Sequence, residues 1–283
     1  MLLLCVIWGL QQVVMKVVSG DAAPVMQLAI RFAVATVFFS ILVGIREGRT
    51  AFADGTLPSG VLLGVLFSLE FILISQALIH TTAAHTTVFL YSAPIFTALG
   101  LQFLPDERLA AMQWLGIATA MLGLAVAFLG PGDRPVAELV AGDVLALLGG
   151  AMWGLSNVAL RRGRIGAAAT AKTVLYQVST AAVLLSAFAI VAGETRFVPT
   201  VPVLLAMTFQ TLIISILSYL IWFWLLRKYM TSRLMLLTLL TPLFGVIFAA
   251  LILRDQIELR FGLGALMVLG GILIMNSQLI RQR

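Results

Sequence analysis

Apolar residues in this chain arrive in blocks of about 18 to 25, divided by short polar breaks. Wound as a helix, a block of that length crosses a hydrocarbon core of ~30 Å. The blocks read as spans near 2–18, 25–44, 58–79, 84–104, 110–129, 141–160, 169–192, 202–226, 231–252 and 260–280. In lipid each backbone N–H and C=O must find a partner inside the protein, so such blocks are expected as α-helices. Composition agrees: 61% of the 283 residues are hydrophobic and 11% charged, with a mean hydropathy of +1.08. That is too little charge to coat a water-soluble domain. The expected fold class is an all-α integral membrane protein of ten transmembrane helices.

A pI near 10.1 raises the question of a nucleic-acid partner, but the basic residues lie in short loops between apolar blocks, a pattern of membrane orientation. After the even-numbered spans come Arg46, Arg49, Arg108, Arg161, Arg162, Arg164, Arg227, Lys228, Arg233, Arg281 and Arg283. The alternate loops hold Arg134, Arg196, Arg254 and Arg260. Eleven against four puts both termini in the cytoplasm, with no nucleic acid as partner. The first span lacks the basic leader of a secretory signal, so it is expected as a retained helix, with a short cytoplasmic leader missing before it. The lone Cys5 excludes an internal disulfide and a cysteine-based zinc site. No G-x-x-x-x-G-K-[ST] loop is present, which argues against an ATP-driven pump.

The halves resemble each other. Trp8-Gly9-Leu10-Gln11-Gln12 corresponds to Trp153-Gly154-Leu155-Ser156-Asn157 at an offset of 145. At an offset of 148, Pro94 meets Pro242, Glu107 meets Asp255, Leu115-Gly116 meets Leu263-Gly264, and Gly123 meets Gly271. The expected units are a first five-helix repeat over 1–130 and a second over 141–280. Five spans is an odd number, so the second copy enters the membrane inverted. Inverted repeats are a recurring architecture of secondary transporters.

On these residues the chain resembles the drug/metabolite transporter superfamily, in particular proteins with two EamA-type domains. The resemblance is carried by Trp8-Gly9 and Trp153-Gly154, by Arg31-Phe32, by Ala77-Leu78 through Pro94, and by Leu104-Pro105-Asp106-Glu107-Arg108-Leu109 followed by Gly116. It covers essentially the whole chain. It departs from the pattern at Asp255, where glutamate is usual, and at Arg227-Lys228 after span 8. What it implies is ten helices, a central cavity between the halves, and export or exchange of small metabolites, amino acids among them. The expected site is a bacterial inner membrane.

Candidate functional residues sit mostly inside the spans. Glu70 is an acid deep within span 3, where a charge costs about 2.5–3.5 kcal/mol on insertion scales unless paired, protonated or hydrated. It reads either as a proton-coupling or substrate-amine site, or as the structural ion-pair partner of Arg31. Trp8, Gln11 and Gln12 share one stripe of the first helix, and Trp153, Ser156 and Asn157 repeat the arrangement. They read as paired cavity walls or as interhelical hydrogen-bonding glue. His85 reads either as reaching the outer mouth of the cavity or as a satisfied helix-end histidine, and Tyr91 presents its hydroxyl towards substrate. His80 and His85 are ill-spaced for a metal, so neither metal nor cofactor is expected. Pro94 and Pro242 each strip one donor from the middle of a span, leaving the carbonyls of Leu90 and Thr238 without their usual bond, and read as paired hinges. The expected activity is alternating-access transport of a small organic solute, apolar or aromatic amino acids above all, across the bilayer. The alternatives are a passive channel or facilitator, and an intramembrane enzyme, for which no nucleophile-and-base set or carboxylate pair appears.

Overall fold

The computed structural model describes residues 1–48, 52–81, 83–128, 136–253 and 259–281. In chain order the helices are α1 (Leu2–Val17), α2 (Pro24–Glu47), α3 (Leu57–His80), α4 (Ala83–Leu90), α5 (Ala93–Leu101), α6 (Ala111–Phe128), α7 (Val136–Arg162), α8 (Thr170–Val191), α9 (Val201–Phe209), α10 (Tyr219–Lys228), α11 (Thr231–Leu237), α12 (Leu240–Leu253) and α13 (Leu259–Arg281). Among the described residues there is no strand, only an isolated antiparallel bridge between Ala22 and Phe197. Seven stretches are long and apolar enough to cross a bilayer: α2, α3, α6, α7, α8, the rod from α9 to α10, and the α11–α12 pair. The blocks at 2–18 and 260–280 are helical as well, with shorter apolar runs. The block at 84–104 is divided into α4 and α5.

Two of the irregularities follow from proline. The chain leaves helix at Tyr91–Ser92, just before Pro94, and at Thr238–Leu239, just before Pro242. A proline nitrogen donates nothing and its ring crowds the turn before it, so the interruption falls on the N-terminal side. The carbonyl of Thr238, deprived of its donor at 242, accepts instead from Thr241 N at 2.8 Å. A third irregularity gave no sequence signal: between α9 and α10, residues Gln210–Ser218 form a π-helical stretch. Its Gln210 and Ser218 are fully buried and bond across to α2 and α1 respectively.

Packing relates equivalent elements of the two halves. A Cβ on Gly9 would meet Phe244 Cβ at 2.8 Å and Thr241 O at 3.0 Å; one on Gly154 would meet Phe96 Cβ at 2.6 Å and Ala93 O at 3.0 Å. Each tryptophan-glycine helix therefore seats its glycine against the other half's proline-broken helix, and only a residue without a side chain fits. The helices α6 and α13 close against each other the same way, a Cβ on Gly271 falling 2.5 Å from Gly116 O.

Polarity runs inside out by the standards of a water-soluble protein. Arg31 and Lys172 are each 1% exposed, whereas Val191 is 87% and Ile45 79% exposed. In water those apolar faces would be an aggregation hazard; against acyl chains they are the expected surface. The chain is a multi-pass membrane protein.

Candidate functional site

Between the halves lies a cavity of about 570 Å³, in the range of small-molecule sites. Its walls come from α1, α2, α3, α4, α7, α8, α10 and α12. It reaches the end of the bundle where Lys16, Ser19 and Phe128 stand, and among the described residues none in the loops around 48–56, 102–110, 162–170 or 228–231 lines it. The described lining thus reaches one end of the molecule and stops short of the other.

The closed end is built on Glu107. This carboxylate is wholly buried and accepts from the backbone N–H of Thr231 at 2.8 Å and of Ser232 at 3.2 Å. Those are orphan donors of α11, whose own N-cap, Met230, supplies no side-chain bond. A carboxylate from a distant loop therefore does the capping, with the helix dipole in its favour. Arg161 Nε, at the end of α7, pairs with it at 3.0 Å. Nearby, Lys172 Nζ bridges Asp54 at 2.5 Å and Glu47 at 3.3 Å, and Arg227 donates to Thr170 and Thr173. The bond from Lys172, reinforced by the Thr56 hydroxyl, holds the Asp54 carboxyl down to about 2.

Most of the sequence-derived candidates meet in the cavity: Trp8, Gln11, Gln12, Glu70, Tyr91, Trp153, Ser156 and Asn157 all line it, as does Pro242. Trp8 donates its indole N–H to Ser218 Oγ at 2.9 Å and meets Trp222 edge-on at 5.4 Å. Trp153 meets Tyr91 edge-on, also at 5.4 Å. Ser156 and Asn157 bond back to the carbonyl of Trp153 at 2.7 and 2.9 Å, and Asn157 also reaches Met235 Sδ at 3.3 Å. Pro94 lies at the start of α5, buried outside the lining.

Two expectations need correction. His85 does not line the cavity: its Nδ1 stands 3.0 Å from Asp143 of α7, while its neighbours Thr86 and Thr87 face the space. Arg31 and Glu70 both line the cavity, but no ion pair joins them. With the Gln11 amide turned oxygen-first, Arg31 donates to Gln11 at 2.6 and 3.2 Å, and Nη1 reaches Gln210 Oε1 at 3.4 Å. Gln210 in turn donates to Gln27 Oε1 at 2.8 Å, which is anchored on Ala22 O. Glu70 is 7% exposed and its Oε2 has no hydrogen-bond partner. Tyr219 lines the same cavity. Among the described residues no group of three or more histidine, cysteine or acidic side chains is placed to hold a metal.

The chain has recognisable relatives. The model of the EamA-like transporter family matches residues 1–129 and again 140–277. The "Uncharacterized transporter YoaV" of Bacillus subtilis (strain 168) is 22% identical over 96% of this chain and 93% of its own. A protein of Escherichia coli (strain K12) called "Probable amino-acid metabolite efflux pump" is 27% identical over 96% of this chain and 92% of its own, and one of the same name from Salmonella typhimurium matches to the same extent. A solved crystal structure shares the fold with a TM-score of 0.82 at 19% identity, covering 99% of this chain and 96% of that one.

Proposed function

The chain belongs to the EamA-like transporter family, and from that premise we propose that it exports or exchanges small organic metabolites, amino acids above all, across a bacterial inner membrane by alternating access. The observation that carries this reading is a cavity walled by both halves that reaches one end of the bundle and is shut off from the other by Glu107, Arg161 and α11. In this scheme ten helices cross the membrane as two inverted five-helix repeats, with both termini cytoplasmic. The basic-residue bias then makes the open end the outer one. The interruptions before Pro94 and Pro242 serve as hinges on which the closed end opens and the open end closes.

Amino acids are favoured as cargo by the names of two relatives and by the make-up of the walls, where two aromatic pairs flank isolated charged and amide groups. Aromatic and other apolar side chains suit those walls. Proton exchange at Glu70 is the coupling proposed. A passive channel is disfavoured by the closed end, since a pore needs both ends open at once.

The test is counterflow in proteoliposomes with labelled amino acids, nucleosides and polyamines, with and without a pH gradient. The reading expects saturable uptake of amino acids, accelerated by unlabelled amino acid on the far side, and loss of the pH-gradient dependence in Glu70→Gln. Flux without trans-acceleration would establish a channel. Selective counterflow of nucleosides or polyamines would overturn the assignment of cargo.

A further inference from the structure

Two opposite charges face one cavity without meeting each other or any other charged partner. Arg31 is 1% exposed, and among the described residues no carboxylate lies within ion-pair distance of it; its neighbours are the neutral amides of Gln11 and Gln210. Glu70 is 7% exposed, and its Oε2 is unpartnered. Left alone, each is a poorly compensated charge at membrane depth. Direct contact would cancel both, but no ion pair joins them.

A ligand that satisfies both must carry a negative and a positive group. Resting on the reading of amino-acid transport, we infer that Arg31 and Glu70 form a zwitterion receptor: Arg31 takes the α-carboxylate and Glu70 the α-ammonium. Arg31 is suited to its half of the task because it lines the cavity with only neutral hydrogen-bond partners on its guanidinium, whose donors match a carboxylate. Gln11, Gln210 and the Phe32 ring, 4.8 Å beneath the guanidinium, hold that group in place without neutralising it. Glu70 is suited because it lines the same cavity and, once ionised, its carboxylate is a pure acceptor, while an ammonium is a pure donor.

The remaining walls then sort the side chain. Glu70 is flanked on its helix by Phe67 and Phe71, and the Trp8–Trp222 and Trp153–Tyr91 pairs stand on the α1 and α7 sides. A ligand held by its backbone charges presents its side chain to aromatic surface, so bulk and apolarity are rewarded and a third charge is not. This makes the receptor specific for neutral L-amino acids and blind to amines or acids alone.

The decisive experiment uses purified wild-type protein in detergent and measures binding of L-phenylalanine against three analogues: N-acetyl-L-phenylalanine, 3-phenylpropionate and phenethylamine. The inference expects each analogue, lacking one charge, to bind at least tenfold more weakly. Glu70→Gln should weaken phenylalanine at least tenfold while leaving 3-phenylpropionate within twofold, and Arg31→Gln should weaken phenylalanine while sparing phenethylamine. Thermal unfolding separates a binding defect from misfolding, and the analogue series on the wild-type protein stands even where a variant does not fold. Phenylalanine binding matched by the analogues overturns the receptor and leaves amino-acid transport standing. Absence of binding by any of leucine, tyrosine or phenylalanine overturns that underlying reading and the receptor with it.

Discussion

Replacing Glu107 with glutamine should open the closed end, and the size of the effect can be worked from the contacts. The carboxylate accepts two main-chain N–H groups of α11. Bonds to a charged acceptor contribute about 1.5–3 kcal/mol against about 0.5–1.5 for neutral ones, so the surviving bond loses about 1 kcal/mol. The second oxygen becomes an NH2 that cannot accept, leaving a buried N–H at a cost of about 1–3 kcal/mol. The ion pair with Arg161, whose side chain is 31% exposed, adds no more than about 1 kcal/mol. Together these destabilise the closed arrangement by about 2–5 kcal/mol. An outward-open to inward-open ratio of about 100 to 1 would fall at least thirtyfold, to near 3 to 1.

The readout is a cysteine at Gln12, which faces the cavity, in a Cys5→Ser background, labelled from outside with a membrane-impermeant maleimide. Glu107→Gln should slow that labelling and make Gln12→Cys reactive from the opposite side, with Glu107→Asp intermediate. Labelling from the outside at the wild-type rate, in protein of normal thermal stability, would refute the idea that this cap holds the closed end.

Three further outcomes are expected. Cysteines placed at Gly132 and near Arg283, both outside the described residues, should label from opposite faces of the membrane; labelling from one face would remove the inverted repeat. Trp8→Ala and Trp153→Ala should each cut the initial rate of transport at least tenfold while expression stays within twofold, and normal transport in both would make these residues packing alone. Asp54, with its folded-state pKa near 2 against about 3.9 unfolded, contributes stability above pH ~4 that is lost as pH falls towards 2. The melting temperature of the detergent-solubilised protein should drop over that window, and Asp54→Asn should flatten the drop.

Helix positions were legible because burial in lipid writes length and polarity directly into the chain. The cavity stripe of α1 was legible for a related reason: Gln11 and Gln12 are costly against acyl chains, so one stripe had to face protein. His85 was misplaced because its partner Asp143 sits 58 residues away on α7, and no local pattern announces that pairing. Tyr219 and Trp222 were missed because the π-helical stretch before them shifts their facing, and aromatic residues in an apolar block offer no contrast of polarity. Glu107 was visible only as a loop residue in a motif. Its role depends on the uncapped start of α11, over 120 residues later, which no local pattern announces.

The repeat offsets carry the closed end over to its counterpart. At 148 residues Glu107 maps onto Asp255, and Thr231 and Ser232 map onto Ala83 and Ala84, where α4 begins; at 145 residues Arg161 maps onto Lys16. Asp255 lies outside the described residues. Lys16 stands on the cavity wall at the open end, where a cap on α4 would have to form for that end to close. If the halves exchange roles, Asp255 favours the inward-open state as Glu107 favours the outward-open one. Asp255→Asn alone should then hardly alter outside labelling of Gln12→Cys, since the outward-open state already dominates. Added to Glu107→Gln it should restore the labelling rate, because both states lose a cap of similar strength and their ratio returns towards its starting value. A double variant that labels as slowly as Glu107→Gln, or more slowly, would show that the two carboxylates do not oppose each other and that the ends close by unrelated means.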